Sequence, residues 1–216
     1  AEGSIYYNSS NGQFEFVGPG AGSWASGGNL NTGRENHGPA GVGPQTAALA
    51  VGGYTTTHVN NVEQYNGSSW SEIAEINTAR YGNGSSTSGT TTAAITVGGN
   101  QSPKLQVESW NGSAWTEVNE LNTARYAMGT FGITTAALFT GGDASPVVGA
   151  TEVWDGSSWT EVNDMNTVKQ YLGAAGTTTD GVAFGTSGPN AAKTEAWDGT
   201  NWTEVADLAT GRYAFA

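Results

Sequence analysis

Five of the seven basic residues in this chain return at one position of a repeating unit: Arg34, Arg80, Arg125, Lys169 and Arg212. Four units also place an acid at a fixed point before the hairpin turn, Glu63, Glu108, Glu152 and Glu195. Cations and carboxylates recurring together support charge-assisted hydrogen bonds from unit to unit. The competing chemistry is a cationic ring around a central opening that holds an anionic ligand. Repeated residues in repeat proteins chiefly serve packing between neighbours, so the spacing favours a structural basic ring.

Paired aromatics form a second series, Trp110 with Trp115 and Trp154 with Trp159. They suit sugar stacking, but aromatic side chains dominate burial in small sheets, and a core role is expected. A second acidic series, Glu72, Glu117, Glu161 and Glu204, falls on an outer, solvent-facing strand and is expected to keep that edge soluble. His37 and His58 lack the Cys or acidic spacing of a metal site, and no segment gathers the oxygen ligands calcium needs. No Gly-x-Ser-x-Gly elbow is present. Neither a catalytic residue, a metal nor a cofactor is therefore expected.

These residues are positioned by a repeat whose tryptophans, Trp24, Trp70, Trp115, Trp159 and Trp202, stand 46, 45, 44 and 43 residues apart. A period of about 40 to 50 residues rich in Gly and aromatics is the mark of a propeller blade. The unit from Arg80 to Leu121 reads as four antiparallel strands. Tyr81 to Ser88 has the small residues of an inner strand A. Thr91 to Val97 is a buried strand B ending in Gly98-Gly99, a turn that needs positive φ. Leu105 to Trp110 alternates as strand C, Asn111-Gly112 is a hairpin signal, and Ala114 to Val118 is an outer strand D. Helical periodicity is absent throughout, so an all-β fold is expected.

A double glycine after an apolar strand, followed by an aromatic and then a tryptophan, resembles the kelch repeat of β-propellers over Arg34 to Val205. It departs from that pattern at Thr186, where the second glycine is lost, in its tight aromatic spacing, and in having fewer units than the six or seven usual in kelch propellers. The wording Trp-Asn/Asp-Gly-Ser-x-Trp-Thr-Glu-Val and Asn-Thr-Ala-Arg looks like the kelch-like repeats of phage structural and tail-fibre proteins. Both chain ends read as fragments of a blade. Ser4 to Asn8, Gln13 to Val17 and Gly22 to Trp24 supply three strands, and Arg212 to Ala216 supplies one. The expectation is a single domain, residues 1–216, forming a five-bladed β-propeller of four-stranded blades, its last blade shared between the two ends.

The resemblance implies a non-enzymatic binding module of a phage structural or tail-fibre protein, located on a virion or outside the cell, that recognises a glycan or protein on a cell surface. The alternatives are a virion decoration or assembly domain contacting other virion proteins, and thirdly a glycan-active enzyme. Galactose-oxidase-type copper chemistry lacks the cysteine for its crosslinked tyrosine, and in Trp154-Asp155-Gly156 the Asp is misplaced for a sialidase-type Asp box. Variable loops on a repeated scaffold are where ligand contacts concentrate. The B-to-C loops, Tyr54 to Asn60, Asn100 to Lys104, Asp143 to Gly149 and Ser187 to Ala192, share a face with the turns bearing the cations in this reading. Tyr54, His58, Asn100, Gln101, Asp143 and Asn190 are the candidate ligand-binding residues.

A formal charge of -12 opposes nucleic acid and anionic membrane surfaces as partners. The start Ala1-Glu2-Gly3-Ser4 has no features of a signal peptide, and no apolar run is long enough for membrane insertion as a helix. A soluble chain is expected.

Overall fold

Runs of β-branched and aromatic residues bounded by Asn-Gly, Asp-Gly and Gly-Gly turns fold as short strands joined by tight connections. The structure, a computed structural model, describes residues 5–8, 13–16, 27–40, 46–86 and 90–213. These residues contain eighteen strands and no helix. Strands β1 (Ile5–Asn8) and β2 (Gln13–Phe16) form an antiparallel pair. Sixteen others form four antiparallel sheets, each in chain order.

The first blade is β3 (Gly38–Ala40), β4 (Ala48–Tyr54), β5 (His58–Tyr65) and β6 (Trp70–Ile73). Next come β7 (Gly84–Ser85), β8 (Ala94–Val97), β9 (Val107–Trp110) and β10 (Trp115–Glu117). The third is β11 (Gly129–Ile133), β12 (Ala136–Thr140), β13 (Thr151–Trp154) and β14 (Trp159–Val162). The fourth is β15 (Gly173–Thr177), β16 (Asp180–Phe184), β17 (Thr194–Trp197) and β18 (Trp202–Glu204). The four-strand unit read from sequence is present four times. Its inner strand in the second blade is shorter than expected, two residues with Ser86 still bonded to Ile95. The expected D-like strand at Gly22 to Trp24, the Asn11-Gly12 turn and the end of the C-terminal strand at Ala214 to Ala216 lie outside the described residues.

The core lies between blades. Leu49, Val51, Val62 and Ile76 of the first blade pack with Ala94, Trp110 and Trp115 of the second. Ile95, Val97, Val107 and Leu121 continue to Ala137, Phe139 and Trp154, and Leu138 and Met165 continue to Ala183, Trp197 and Trp202. Because each cluster draws on two sheets, a blade has no core of its own, as expected for a repeat stabilised by its neighbours. Each strand-C tryptophan also fastens the far end of its blade. The indole N–H groups of Trp110, Trp154 and Trp197 donate to the carbonyls of Thr91, Thr134 and Thr178, each at 2.9 Å. Strand-D tryptophans reach back to the preceding unit: Trp70 to the Gly28 carbonyl at 3.0 Å and Trp159 to that of Asn119 at 2.8 Å.

Inner strands β3, β7, β11 and β15 stand side by side, and a chain of backbone hydrogen bonds links the blades beside them. Gly82 N–H donates to Asn36, Ala127 to Gly82, and Tyr171 to Ala127, at 2.8, 2.7 and 2.9 Å. All four residues have φ between 50° and 63°. The left-handed conformation costs a non-glycine residue about 1 to 2 kcal/mol. Ala127 and Tyr171 hold it because it points their N–H groups at the previous blade.

Candidate functional site

One end of the molecule gathers the strand-B to strand-C loops and the linkers that carry the cations. The double glycine explains the meeting. At the first glycine of each pair a Cβ would lie 2.6 Å from the Arg80 carbonyl (Gly52), 2.4 Å from that of Arg125 (Gly98) and 2.5 Å from that of Lys169 (Gly141). All three have positive φ. The second glycine, Gly53, Gly99 or Gly142, donates its N–H to that same carbonyl. Only glycine permits this approach. In the fourth blade the second position is Thr186, whose hydroxyl oxygen accepts the Gln170 N–H at 3.0 Å.

The cation thus bonds to the blade before it through its carbonyl, and its side chain turns to the blade after it. Arg34 pairs with Glu63 at 3.2 Å, Arg125 with Glu152 at 2.7 Å, Lys169 with Glu195 at 2.7 Å, and Arg80 with Glu108. The eight side chains are 0 or 1% exposed. Each acid also caps the turn: Glu152 accepts the N–H groups of Asn122 (2.9 Å) and Thr123 (3.2 Å), as Glu63 and Glu195 do in their blades. The ion pair therefore joins a linker to its own blade, and the bond to the previous blade is made by backbone. Arg212 keeps the backbone register, its N–H donating to Ala191 at 3.1 Å, but its side chain is exposed and has no carboxylate partner among the described residues.

The exposed strand-D acids have a further part in this arrangement. Glu72, Glu117, Glu161 and Glu204 stand directly across the sheet from Glu63, Glu108, Glu152 and Glu195. Like charges so placed repel. The cation offsets this: burial lowers the pKa of Arg34, Arg80 and Arg125, and in each the inner and outer glutamates act to raise it again.

Burial pushes the Glu195 carboxyl up, but the Lys169 ammonium and the Asn166 N–H more than offset this and hold it below its ordinary 4.5. A depressed folded-state pKa contributes stability that is complete above the unfolded value and is lost as pH falls through the folded one. Thermal melting is expected to be level from about pH 6 to 8 and to fall steadily below about pH 4.5. A midpoint unchanged at about pH 3 would remove the carboxylate from the account.

Above the buried pairs, the residue after each cation meets the first residue of its blade's B-to-C loop. Backbone bonds join Tyr54 to Glu35, Asn100 to Tyr81, Asp143 to Tyr126 and Ser187 to Gln170. Side chains repeat the contact. Asn100 Nδ2 donates to the Tyr81 hydroxyl, Tyr126 donates to Asp143 Oδ2 at 3.1 Å, and Gln170 Nε2 donates to Ser187 Oγ at 3.0 Å. Aromatic rings then span neighbouring blades. Tyr54 and His58 lie 5.3 and 5.0 Å from Tyr81 between ring centres, the histidine stacked at 27°, and Tyr126 meets Tyr171 edge-on at 6.2 Å. Burial, then Tyr171 and the bond to Asp143, raise the Tyr126 pKa, so the hydroxyl stays a donor at neutral pH.

The result is a half-exposed tyrosine crown, Tyr54, Tyr81, Tyr126 and Tyr171, with Tyr213 60% exposed on the last linker. Of the residues singled out from sequence, Tyr54, His58 and Asn100 converge on Tyr81, and Asp143 joins Tyr126. Gln101 stays beside Asn100 with its carbonyl accepting the Lys104 N–H at 2.7 Å, whereas the Asn190 carbonyl accepts the Lys193 N–H at 2.9 Å and, among the described residues, no side-chain hydrogen bond or ring contact joins Asn190 to the crown. The expected B-to-C loop from Tyr54 to Asn60 is a tight hairpin. Strand pairing continues to Tyr54 and His58 past an irregularity between Val51 and Gly53, leaving only Thr55 to Thr57 as the turn. Tyr81, Tyr126, Tyr171 and Lys104 were not singled out. The recurrence of Tyr directly after the cation in Arg80-Tyr81, Arg125-Tyr126 and Arg212-Tyr213 is the signal that finds the first two.

The fold and this face define an all-β, propeller-like protein built from repeated four-stranded sheets. No protein-family model and no curated protein matches the chain. Among the solved structures that do match is one described as "Structure of YjhT", with a TM-score of 0.66 at 12% identity over 84% of this chain and 72% of that one. At that identity the likeness carries the fold alone. Among the described residues no cluster of His, Cys, Asp or Glu is arranged to hold a metal, and no helix is long and apolar enough to cross a membrane.

Proposed function

We propose that the chain is a five-bladed ring, closed by three strands from its N-terminal segment and one from its C-terminal segment, and that it acts as a non-enzymatic binding module for a surface glycan. The tyrosine crown carries this reading. Tyrosine offers rigid, amphipathic contact area at low entropic cost, and here it is interleaved with amide, carboxylate, imidazole and ammonium groups that orient a polyhydroxylated ligand. The likeness of the repeat wording to phage tail-fibre repeats supports a place on a virion, facing a host surface.

Glycan-array binding is the test. The wild-type protein is expected to bind a restricted set of glycans, and Tyr54→Ala/His58→Ala to lose at least about tenfold in affinity, equivalent to about 1.4 kcal/mol. Failure to bind array glycans or host envelope preparations at ligand concentrations on the order of millimolar, a Kd of about 1 mM being only about 4 kcal/mol, would overturn the reading. Tight docking to a virion protein in its place would make this an assembly domain.

A further inference from the structure

Lys104 stands apart from the other lysines and buried arginines of this chain. Arg34, Arg80, Arg125 and Lys169 are in the buried pairs, and Lys193 is bonded to Glu204 and Asp207. In a chain with 19 acidic and seven basic residues, Lys104 has no carboxylate partner among the described residues. Its ammonium lies 4.8 Å from the centre of the Tyr126 ring, on the crown. We propose that Lys104 binds the anionic group, carboxylate or sulfate, of an acidic glycan whose sugar rings lie against Tyr126 and Tyr171, an inference that rests on the crown being a glycan site.

The position of this lysine is imposed by its backbone. Its N–H donates to the Gln101 carbonyl, and its own carbonyl accepts the N–H of Arg125 at 3.3 Å. Its φ is 63°, left-handed and uncommon for a residue with a side chain. Strained conformations of this kind persist where surrounding structure imposes them, and they concentrate at binding and catalytic sites. Here the bonds to two loops place the lysine stem beside the tyrosine.

The Tyr126 ring also separates this cation from the nearest acid of the crown. Lys104 occupies the ring face, and Asp143 sits at the hydroxyl end, where it accepts the Tyr126 hydroxyl and also the Ser145 N–H at 2.7 Å and hydroxyl at 3.4 Å. Asp143 is thus engaged with its own loop, and among the described residues no protein acceptor takes any of the three ammonium N–H donors. Cation–π attraction orients the ammonium without neutralising it. The overall charge of -12 repels an anion at long range. At physiological salt that repulsion decays over about 8 Å, so contact at the crown decides.

The test uses the whole chain and matched probes: hexagalacturonate against its methyl ester, and a heparin hexasaccharide against its desulfated form. At least one charged member is expected to bind about tenfold tighter than its neutral partner, and which pair shows the difference separates carboxylate from sulfate. Lys104→Met is expected to bring the charged probe to the level of the neutral one, and Lys104→Arg to keep the preference, with melting curves verifying that both variants fold. Equal binding of both members of each pair, or a preference surviving in Lys104→Met, overturns the inference and leaves the crown reading standing. Binding of none of the four probes overturns it as well, and a blank glycan array alongside would remove the crown reading too.

Discussion

Replacing Glu152 with alanine is expected to lower the unfolding free energy by about 3 to 5 kcal/mol, because it leaves a buried charge without its partner. The Arg125 side chain is 0% exposed and cannot turn to water. The same carboxylate accepts two backbone N–H groups and the Asn122 side-chain amide, which lose their acceptor together. In urea the midpoint shifts down, and the melting temperature falls by roughly 2 to 4 °C for each kcal/mol lost in a chain of this size. A double replacement, Arg125→Met with Glu152→Leu, is expected to recover part of the loss, since apolar pairs of similar volume replace buried ion pairs at low cost. A change below about 1 kcal/mol in Glu152→Ala would mean that the pair behaves like a solvent-exposed one.

The same pair shows what was legible in the sequence. Cation and acid recur in step because each blade repeats one geometry, so a pairing of Arg125 with Glu152 was legible, but it was expected between blades and instead joins a linker to its own blade. That the linker's link to the preceding blade is a backbone bond from Gly142 to the Lys169 carbonyl did not follow, because spacing shows no hydrogen bonds. Strand positions were readable from alternation and from the Gly-Gly and Asn-Gly turns. The crown was readable only in part. Tyr54, Asn100 and Asp143 share the place after the double glycine, which marks them as loop residues. Their aromatic partners lie on linkers whose direction is set by the left-handed residue two places after the cation, a conformation that Ala127 and Tyr171 do not advertise in their side chains. Tyr171 is itself one place out of step with Tyr81 and Tyr126, because Gln170 takes the place after Lys169. The hairpin at Thr55 to Thr57 was hidden for a related reason: polar residues read as a loop, but pairing with the glycine-ended strand extends them into the sheet.

In the proposed ring the five cation positions make one circuit. The backbone hydrogen bonds running from Asn36 through Gly82 and Ala127 to Tyr171 join four successive units among the described residues. The Arg212 linker is already in register, bonded to Ala191 as Arg125 is to Lys104. If Arg212 to Ala216 complete the blade begun by β1 and β2, removing them opens the ring and leaves the fourth blade without a partner on one side. Each described junction holds at least seven buried apolar residues, so losing one is worth several kcal/mol. The direct measurement is the melting temperature of the chain lacking residues 212–216 beside that of the whole chain. A closed ring predicts a fall on the order of 10 °C, shared by all blades in one transition. Identical melting temperatures would contradict closure and with it the five-bladed ring.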